Sequence, residues 1–230
     1  MWQDTLVSLC YGRPAGITVV ENIPELGSTG SFADRLLPFS EACHYLFVVA
    51  NKIGRAIDAA HFTGNRLTLE TIEDFKNIIN RIEMHCVPHL QDVTKCQHRD
   101  DYVDHYIFNV FSDSVHLCLC RPEVLCMVFG NNKALTALYL TRCRSVLKNY
   151  MALMKLNCTM PRTWIFLHVA LSCAVTLSIV VDTFSLTVDR DLLSTFVEEV
   201  SRSTVCVDVP AYKNSLELLR GYVYKSFHFV

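Results

Sequence analysis

Residues Trp164 to Val181 read WIFLHVALSCAVTLSIVV, and this stretch decides how the rest of the chain can fold. It holds eighteen residues without a formal charge and is bounded by Arg162 and Asp182. An uncharged run of this length predicts either a helix buried inside a helical domain or a short membrane span. The other helices must either cover this segment or leave it exposed to the lipid of a membrane.

The polar residues inside the stretch favour the buried helix. His168, Ser172 and Thr176 recur at four-residue spacing, so a helix places them on one side. Cys173 and Ala174 are small, and hydroxyl side chains can bond back to the carbonyls of their own helix where other helices cross closely. Eighteen residues is also at the low end of spanning lengths.

The remaining sequence predicts further helices and no sheet. Ser40 and Thr68 are expected N-caps, Gly64-Asn65 a break, and Arg121-Pro122 the end of the helix that begins near Asp100. The predicted helices cover 2–11, 40–61, 69 to Pro88, 100–121, 132–156, 189–203 and 212–227, with a loop at 15–38, an apolar turn at 125–129 and a short β-branched piece that ends at Pro210. We therefore predict an all-α fold, a single multi-helix domain over residues 1–230 with 164–181 as its central buried helix.

The bulk composition excludes some classes of protein. The 230 residues are 51% hydrophobic and 19% charged, which is enough for a large core. The net charge of −2 argues against a general polyanion binder, because such proteins need surplus Lys and Arg. The 11 cysteines show no framework spacing, and most have apolar neighbours, so free thiols in a reducing compartment are expected. The first ten residues carry Asp4 and do not form a secretory signal.

The charges are unevenly distributed. No acidic residue occurs from Val124 to Val181, whereas six basic residues do. These are Lys133, Arg142, Arg144, Lys148, Lys155 and Arg162. Arg144, Lys148 and Lys155 share one helical face. This basic strip fits a solvated face paired with acids from elsewhere, a phosphate-contacting surface, or the positive flank of a span.

One group of residues could carry chemistry, and it lies around the end of the helix predicted from 69 to Pro88. The group consists of His85, Cys86, His89, Cys96 and His98, with His105 beyond. Its spacing is irregular, whereas structural zinc sites pair their ligands two to four residues apart. Cys86 could serve as a nucleophile, but the sequence places no base beside it. The alternative is a polar loop between helices with its histidines in solvent. We assign no catalytic, cofactor-binding or metal residue.

Three segments resemble the regulatory middle homology region of the fungal zinc-cluster transcription factors. The first is Trp2-Gln3 followed by SLCYGRP at 8–14 and Ile17, similar to a helix that ends in Ser-Leu-x-x-Gly-Arg-Pro. The second is SDSVHLCLCRPEVL at 112–125, similar to an apolar helix that ends in Arg-Pro. The third comprises Trp164, His168, Ala170 and Ser172, similar to a late helix with an Ala-Leu-Ser run. They occur in the family's order.

The resemblance implies a non-enzymatic helical domain that regulates transcription in the nucleus, with the genes of a fungal metabolic or biosynthetic pathway as its expected targets. Its partners would be the transcription machinery or a homologous regulator, including a dimer, and a small-molecule effector. The family's six-cysteine zinc cluster has no counterpart, since the sequence has no CxxC pair. We therefore expect an N-terminally incomplete regulator that meets DNA only indirectly and has no membrane contact. The alternatives are a small membrane protein anchored by residues 164–181 and a helical enzyme that uses Cys86 and the neighbouring histidines.

Overall fold

The computed structural model describes residues 35–127, 133–156, 164–184, 188–202 and 210–225. Within these ranges the chain forms α-helices and no strand, so the prediction of an all-α fold is confirmed. The helices are α1 (Phe39–Phe62), α2 (Leu69–His85), α3 (Pro88–Gln91), α4 (Arg99–Met127), α5 (Lys133–Lys155), α6 (Trp164–Phe184), α7 (Val188–Arg202) and α8 (Pro210–Lys225). A short 3-10 helix at Val93–Lys95 lies between α3 and α4.

The chain divides into two compact units, residues 1–139 and residues 140–230, and the boundary falls within α5. In unit 1, α1 packs against α2 and α4, and α3 packs against α4. The interior is formed by fully buried side chains that recur at helical spacing, among them Leu46 and Ile53 of α1 and Ile79 of α2. Their burial is the main favourable term that holds these helices together.

The turn between α1 and α2 follows the sequence prediction. Gly64 adopts a φ of 68°, which a residue without a Cβ reaches at no steric cost, and it ends α1. The Thr68 hydroxyl accepts a hydrogen bond from the Thr71 amide at 3.1 Å, so Thr68 caps α2 as predicted. Ser40 is not the cap of α1. That prediction is wrong, because the Pro38 carbonyl already accepts the Ala42 amide at 2.9 Å and the helix begins at Phe39.

An extended segment precedes α1 and pairs with the end of α2. Leu37 donates its amide to the His85 carbonyl at 2.8 Å and accepts the Val87 amide at 3.0 Å. These two bonds form an isolated parallel bridge between Leu37 and Cys86. The Leu37 side chain is buried, whereas Leu36 beside it is exposed.

The prolines produced further errors of prediction. α4 continues through Pro122 to Met127, although a proline removes one helical hydrogen bond and crowds the preceding turn. The predicted end at Arg121-Pro122 is therefore wrong, and residues 125–127 belong to α4 rather than to a separate turn. Pro88 begins α3, and Pro210 is the first residue of α8, where a missing amide costs nothing.

Some predictions lie outside the described residues. These are the helix 2–11, most of the loop 15–38, residues 128 and 129 of the predicted turn, and the β-branched piece before Pro210.

In unit 2, α6 contains the stretch 164–181 and packs against α7 and α8. Ala170, Ala174 and Leu177 are fully buried, so the prediction of a buried apolar helix is confirmed. The Thr176 hydroxyl donates to the Ser172 carbonyl at 2.9 Å, the backbone bonding expected of such residues. Among the described ranges, no helix combines the length and hydropathy that crossing a membrane requires.

Candidate functional site

Helix α4 carries a stripe of five polar residues, four of which contact α2 or α3. The stripe consists of His105, Asn109, Ser112, Asp113 and His116. These residues recur at three- and four-residue intervals, so a helix places them on one side. Four of them are buried and Asn109 is half-buried. Buried polar groups cost free energy unless they find partners, so the contacts of the stripe matter.

The first half of the stripe joins α4 to α3. The Nδ1 atom of His105 lies 2.7 Å from the His89 carbonyl oxygen and donates to it in the tautomer that this contact requires. The Asn109 side-chain amide donates to the Leu90 carbonyl at 3.2 Å and to the His105 carbonyl at 2.8 Å. Burial lowers the pKa of His105, although hydrogen bonds to the His89 and Leu90 carbonyls oppose that effect. Burial therefore favours a neutral imidazole at this position.

The second half of the stripe joins α4 to α2. The Ser112 hydroxyl donates to Oε1 of Glu83 at 2.5 Å. The Nε2 atom of His116 lies 3.6 Å from the same oxygen, which is ion-pair range and beyond a hydrogen bond. The His116 side chain is only 5% exposed. One carboxylate thus serves two buried groups of the neighbouring helix.

A serine, a histidine and a carboxylate are also the components of nucleophilic triads, but their order differs here. In a triad the imidazole lies between the hydroxyl and the carboxylate, so that it can take the hydroxyl proton. The Ser112 hydroxyl instead donates directly to Glu83, and Ser112 is 1% exposed. A substrate could not reach this hydroxyl without separating the helices. The contacts of the cluster therefore hold α4 and α2 together and do not form a catalytic triad.

The residues singled out from the sequence do not come together around one centre. Cys86 is fully buried and its thiol donates to the Ile82 carbonyl at 3.1 Å. The Cys96 thiol lies 3.7 Å from the His89 carbonyl, Nδ1 of His85 lies 2.8 Å from the Arg81 carbonyl, and His98 is exposed. Within the described part of the chain, no group of three or more His, Cys, Asp or Glu side chains is placed to hold a metal ion.

The electrostatic environment of Cys86 opposes a nucleophilic role. Burial raises the pKa of its thiol to about 12, and the Glu83 carboxylate adds to the effect. Burial likewise raises the pKa of Cys43 to about 12, with a further contribution from Cys86. Because the thiolate is the reactive form, both residues remain unreactive thiols at neutral pH.

The sequence reasoning missed the polar stripe. The signal was present, since His105, Asn109, Ser112 and His116 follow helical spacing, but it coincides with the apolar spacing of the same helix. Only the packing of α2 and α3 shows that this face is buried. The basic strip, by contrast, is found on α5, where Lys148 and Lys155 are exposed and Arg144 is half-buried.

Comparison of the chain with protein families, curated proteins and solved structures gives no match in any of the three. The assignment of function therefore depends on the residues and their geometry.

Proposed function

We propose that this chain is a helical regulatory domain that modulates transcription in the nucleus through protein contacts, with no catalysis of its own. The metabolic or biosynthetic genes of a fungus are the targets that the resemblance implies. DNA is reached through a partner, because the sequence has no CxxC pair for the family's zinc cluster. Binding of a small-molecule effector to the domain is a second means of regulation that the resemblance implies.

Two of the three resembling segments fall in described helices, which supports the proposal. Residues 112–125 lie in α4, and Trp164 to Ser172 begins α6. Residues 2–17 lie outside the described part. An all-α fold is also what the resemblance implies.

The observation that carries the proposal is that the polar cluster of unit 1 lies between helices. Ser112 and His116 of α4 both contact Glu83 of α2, and both of these α4 side chains are buried. Asn109 and His105 are bonded to the backbone of α3 in the same way. These polar side chains hold helices together and are not arranged for catalysis. Such an interior suits a domain that acts through contacts of its surface with partner proteins.

A fusion experiment tests the proposal. The full chain is joined to an unrelated DNA-binding domain, and transcription is measured from a reporter gene that carries binding sites for that domain. We expect a several-fold departure from the level set by the DNA-binding domain alone. Ile79→Asp should abolish the effect, because it places a charge at a fully buried position of α2.

Phe62→Asp is the matched control, since Phe62 is 95% exposed and the same charge there should leave the effect intact. Circular dichroism and cellular abundance establish that the wild-type fusion and the control are folded. A folded wild-type fusion that leaves the reporter at the level of the DNA-binding domain alone would contradict the proposal.

A further inference from the structure

Helix α5 has two distinct faces within unit 2. One face is buried and includes Leu147, Tyr150 and Leu153. The ring centroid of Tyr150 lies 6.1 Å from that of Phe196 in α7, so this face packs inside the unit. The opposite face exposes Thr141, Lys148 and Lys155 at seven-residue intervals. Arg144 and Ala152 lie on the same side and are half-buried. We call these five residues the α5 basic face.

The charge of the α5 basic face is of one sign. Its cations belong to a stretch, Val124 to Val181, that contains no acidic residue. Among the described residues, neither Lys148 nor Lys155 forms an ion pair. Two cations of other helices lie close to acids of their own helix: Lys76 lies 3.4 Å from Glu73, and Arg202 lies 3.7 Å from Glu198.

We infer that the α5 basic face binds an acidic helical segment of a partner protein. This inference gives the partner class for the regulatory role proposed above and rests on that role. Lys148 and Lys155 are separated by about 10 Å along the axis, and Arg144 and Lys148 by about 6 Å. A helix with carboxylates at seven- and four-residue spacing matches these intervals. Thr141 and Ala152 are small and allow a second helix to approach closely.

The charge of the whole chain selects an acidic protein segment over nucleic acid. Binding to a duplex draws most of its affinity from neutralising many phosphates, which needs a surplus of Lys and Arg. The chain has a net charge of −2, and the α5 basic face carries three cations, of which Lys148 and Lys155 are exposed. A short acidic helix matches so small a group, because complementary charges mainly set specificity and association rate.

A peptide-binding assay tests this inference. The probe is a fluorescent synthetic helix with glutamates at the four- and seven-residue spacing described above, and its anisotropy is followed as the full chain is added. We expect saturable binding that weakens as salt is raised. The double variant Lys148→Glu/Lys155→Glu should weaken binding by about tenfold or more, because like charges then face each other.

The matched control is Lys52→Glu/Lys95→Glu, which changes the net charge equally at two exposed lysines of unit 1. Retention of binding in this control supports a local site, as does binding of a lysine-substituted peptide to the Lys148→Glu/Lys155→Glu variant. Equal losses in both double variants would overturn the inference, since a diffuse field would then explain the attraction.

Phosphate ligands form the last arm of the test. If a DNA duplex or an anionic phospholipid vesicle binds the chain more tightly than the peptide does, and loses this binding in Lys148→Glu/Lys155→Glu, the inference is overturned. A reporter effect without peptide binding also overturns it, while leaving the regulatory proposal intact. A silent reporter counts against the regulatory proposal itself.

Discussion

The Glu83 carboxylate accepts the hydroxyl of Ser112 and lies beside the imidazole of His116, and both of these side chains are buried. We predict that Glu83→Ala lowers the free energy of unfolding by about 1–3 kcal/mol, because it removes the acceptor of a buried donor. Glu83→Gln keeps an acceptor at this position and should cost less. Urea unfolding followed by circular dichroism measures both values.

Glu73→Ala is the control for this prediction. Its carboxylate is 62% exposed and lies 3.4 Å from Lys76 in an ion pair on the surface of α2. Such pairs contribute about 0–1 kcal/mol, so the variant should unfold almost as the wild type does. Equal losses from Glu73→Ala and Glu83→Ala would show that the buried contacts of Glu83 do not stabilise unit 1.

The thiols of Cys43 and Cys86 predict a loss of stability in alkali. Burial raises the folded-state pKa of each thiol to about 12, from an ordinary value of 9.0. As the pH rises above 9.0, the unfolded chain loses these protons while the folded chain keeps them, so ionisation favours unfolding. The free energy of unfolding should fall by up to about 1.4 kcal/mol per pH unit for each thiol.

Urea unfolding at a series of alkaline pH values measures this slope. The double variant Cys43→Ala/Cys86→Ala should have a shallower slope than the wild type, whatever its stability at neutral pH. The single variant Cys86→Ala also removes one cause of the Cys43 shift and should fall between the two. A double variant with the wild-type slope would contradict the assignment of the alkaline loss to these thiols.

At the scale of a helix, α6 is packed through small side chains. Ala170 and Ala174 are fully buried and lie one turn apart. We predict that Ala174→Leu destabilises unit 2 by about 1–3 kcal/mol, because the added carbons have no space between α6 and its neighbours. Ser172→Leu places the same side chain at an exposed position of the same helix and should be nearly neutral. Thermal unfolding that shifts equally in both variants would contradict close packing at Ala174.

Helix positions could be predicted from the sequence wherever the signal was local. The apolar spacing of 40–61 and 132–156 gave α1 and α5, and the hydroxyl of Thr68 gave the start of α2. Pro122 gave a wrong helix end, because whether a helix continues past a proline depends on tertiary packing that the sequence does not display.

The candidate site was less predictable than the helices for a related reason. His105, Asn109 and His116 have the same spacing whether they face solvent or a neighbouring helix, so burial cannot be deduced from α4 alone. The sequence alone allows Cys86 to be a nucleophile, because no local pattern indicates that its thiol is buried in the core. Both facts depend on which helices pack against each other.

For the whole molecule, the net charge of −2 leads to a prediction about nucleic acid. We expect the purified chain not to retard a DNA duplex at submicromolar concentration and about 0.15 M salt, because it cannot displace enough counterions. An electrophoretic mobility shift assay checks this expectation. The fusion to an unrelated DNA-binding domain serves as the positive control. Nanomolar, base-specific binding by the chain alone would contradict indirect contact with DNA.

The bridge between Leu37 and Cys86 has a register that is protected in both directions. Pro38 has no amide hydrogen, so it cannot replace Leu37 as the donor to the His85 carbonyl. Leu36 has both an amide hydrogen and a leucine side chain, and it is 52% exposed whereas Leu37 is 3% exposed. A slip of one residue toward Leu36 would point the amide and carbonyl of Leu36 away from α2, because successive residues of an extended segment face opposite sides. The same slip would bring the outward leucine to the bridge and move the buried one away from it. The register of the bridge therefore fixes where the chain enters α1.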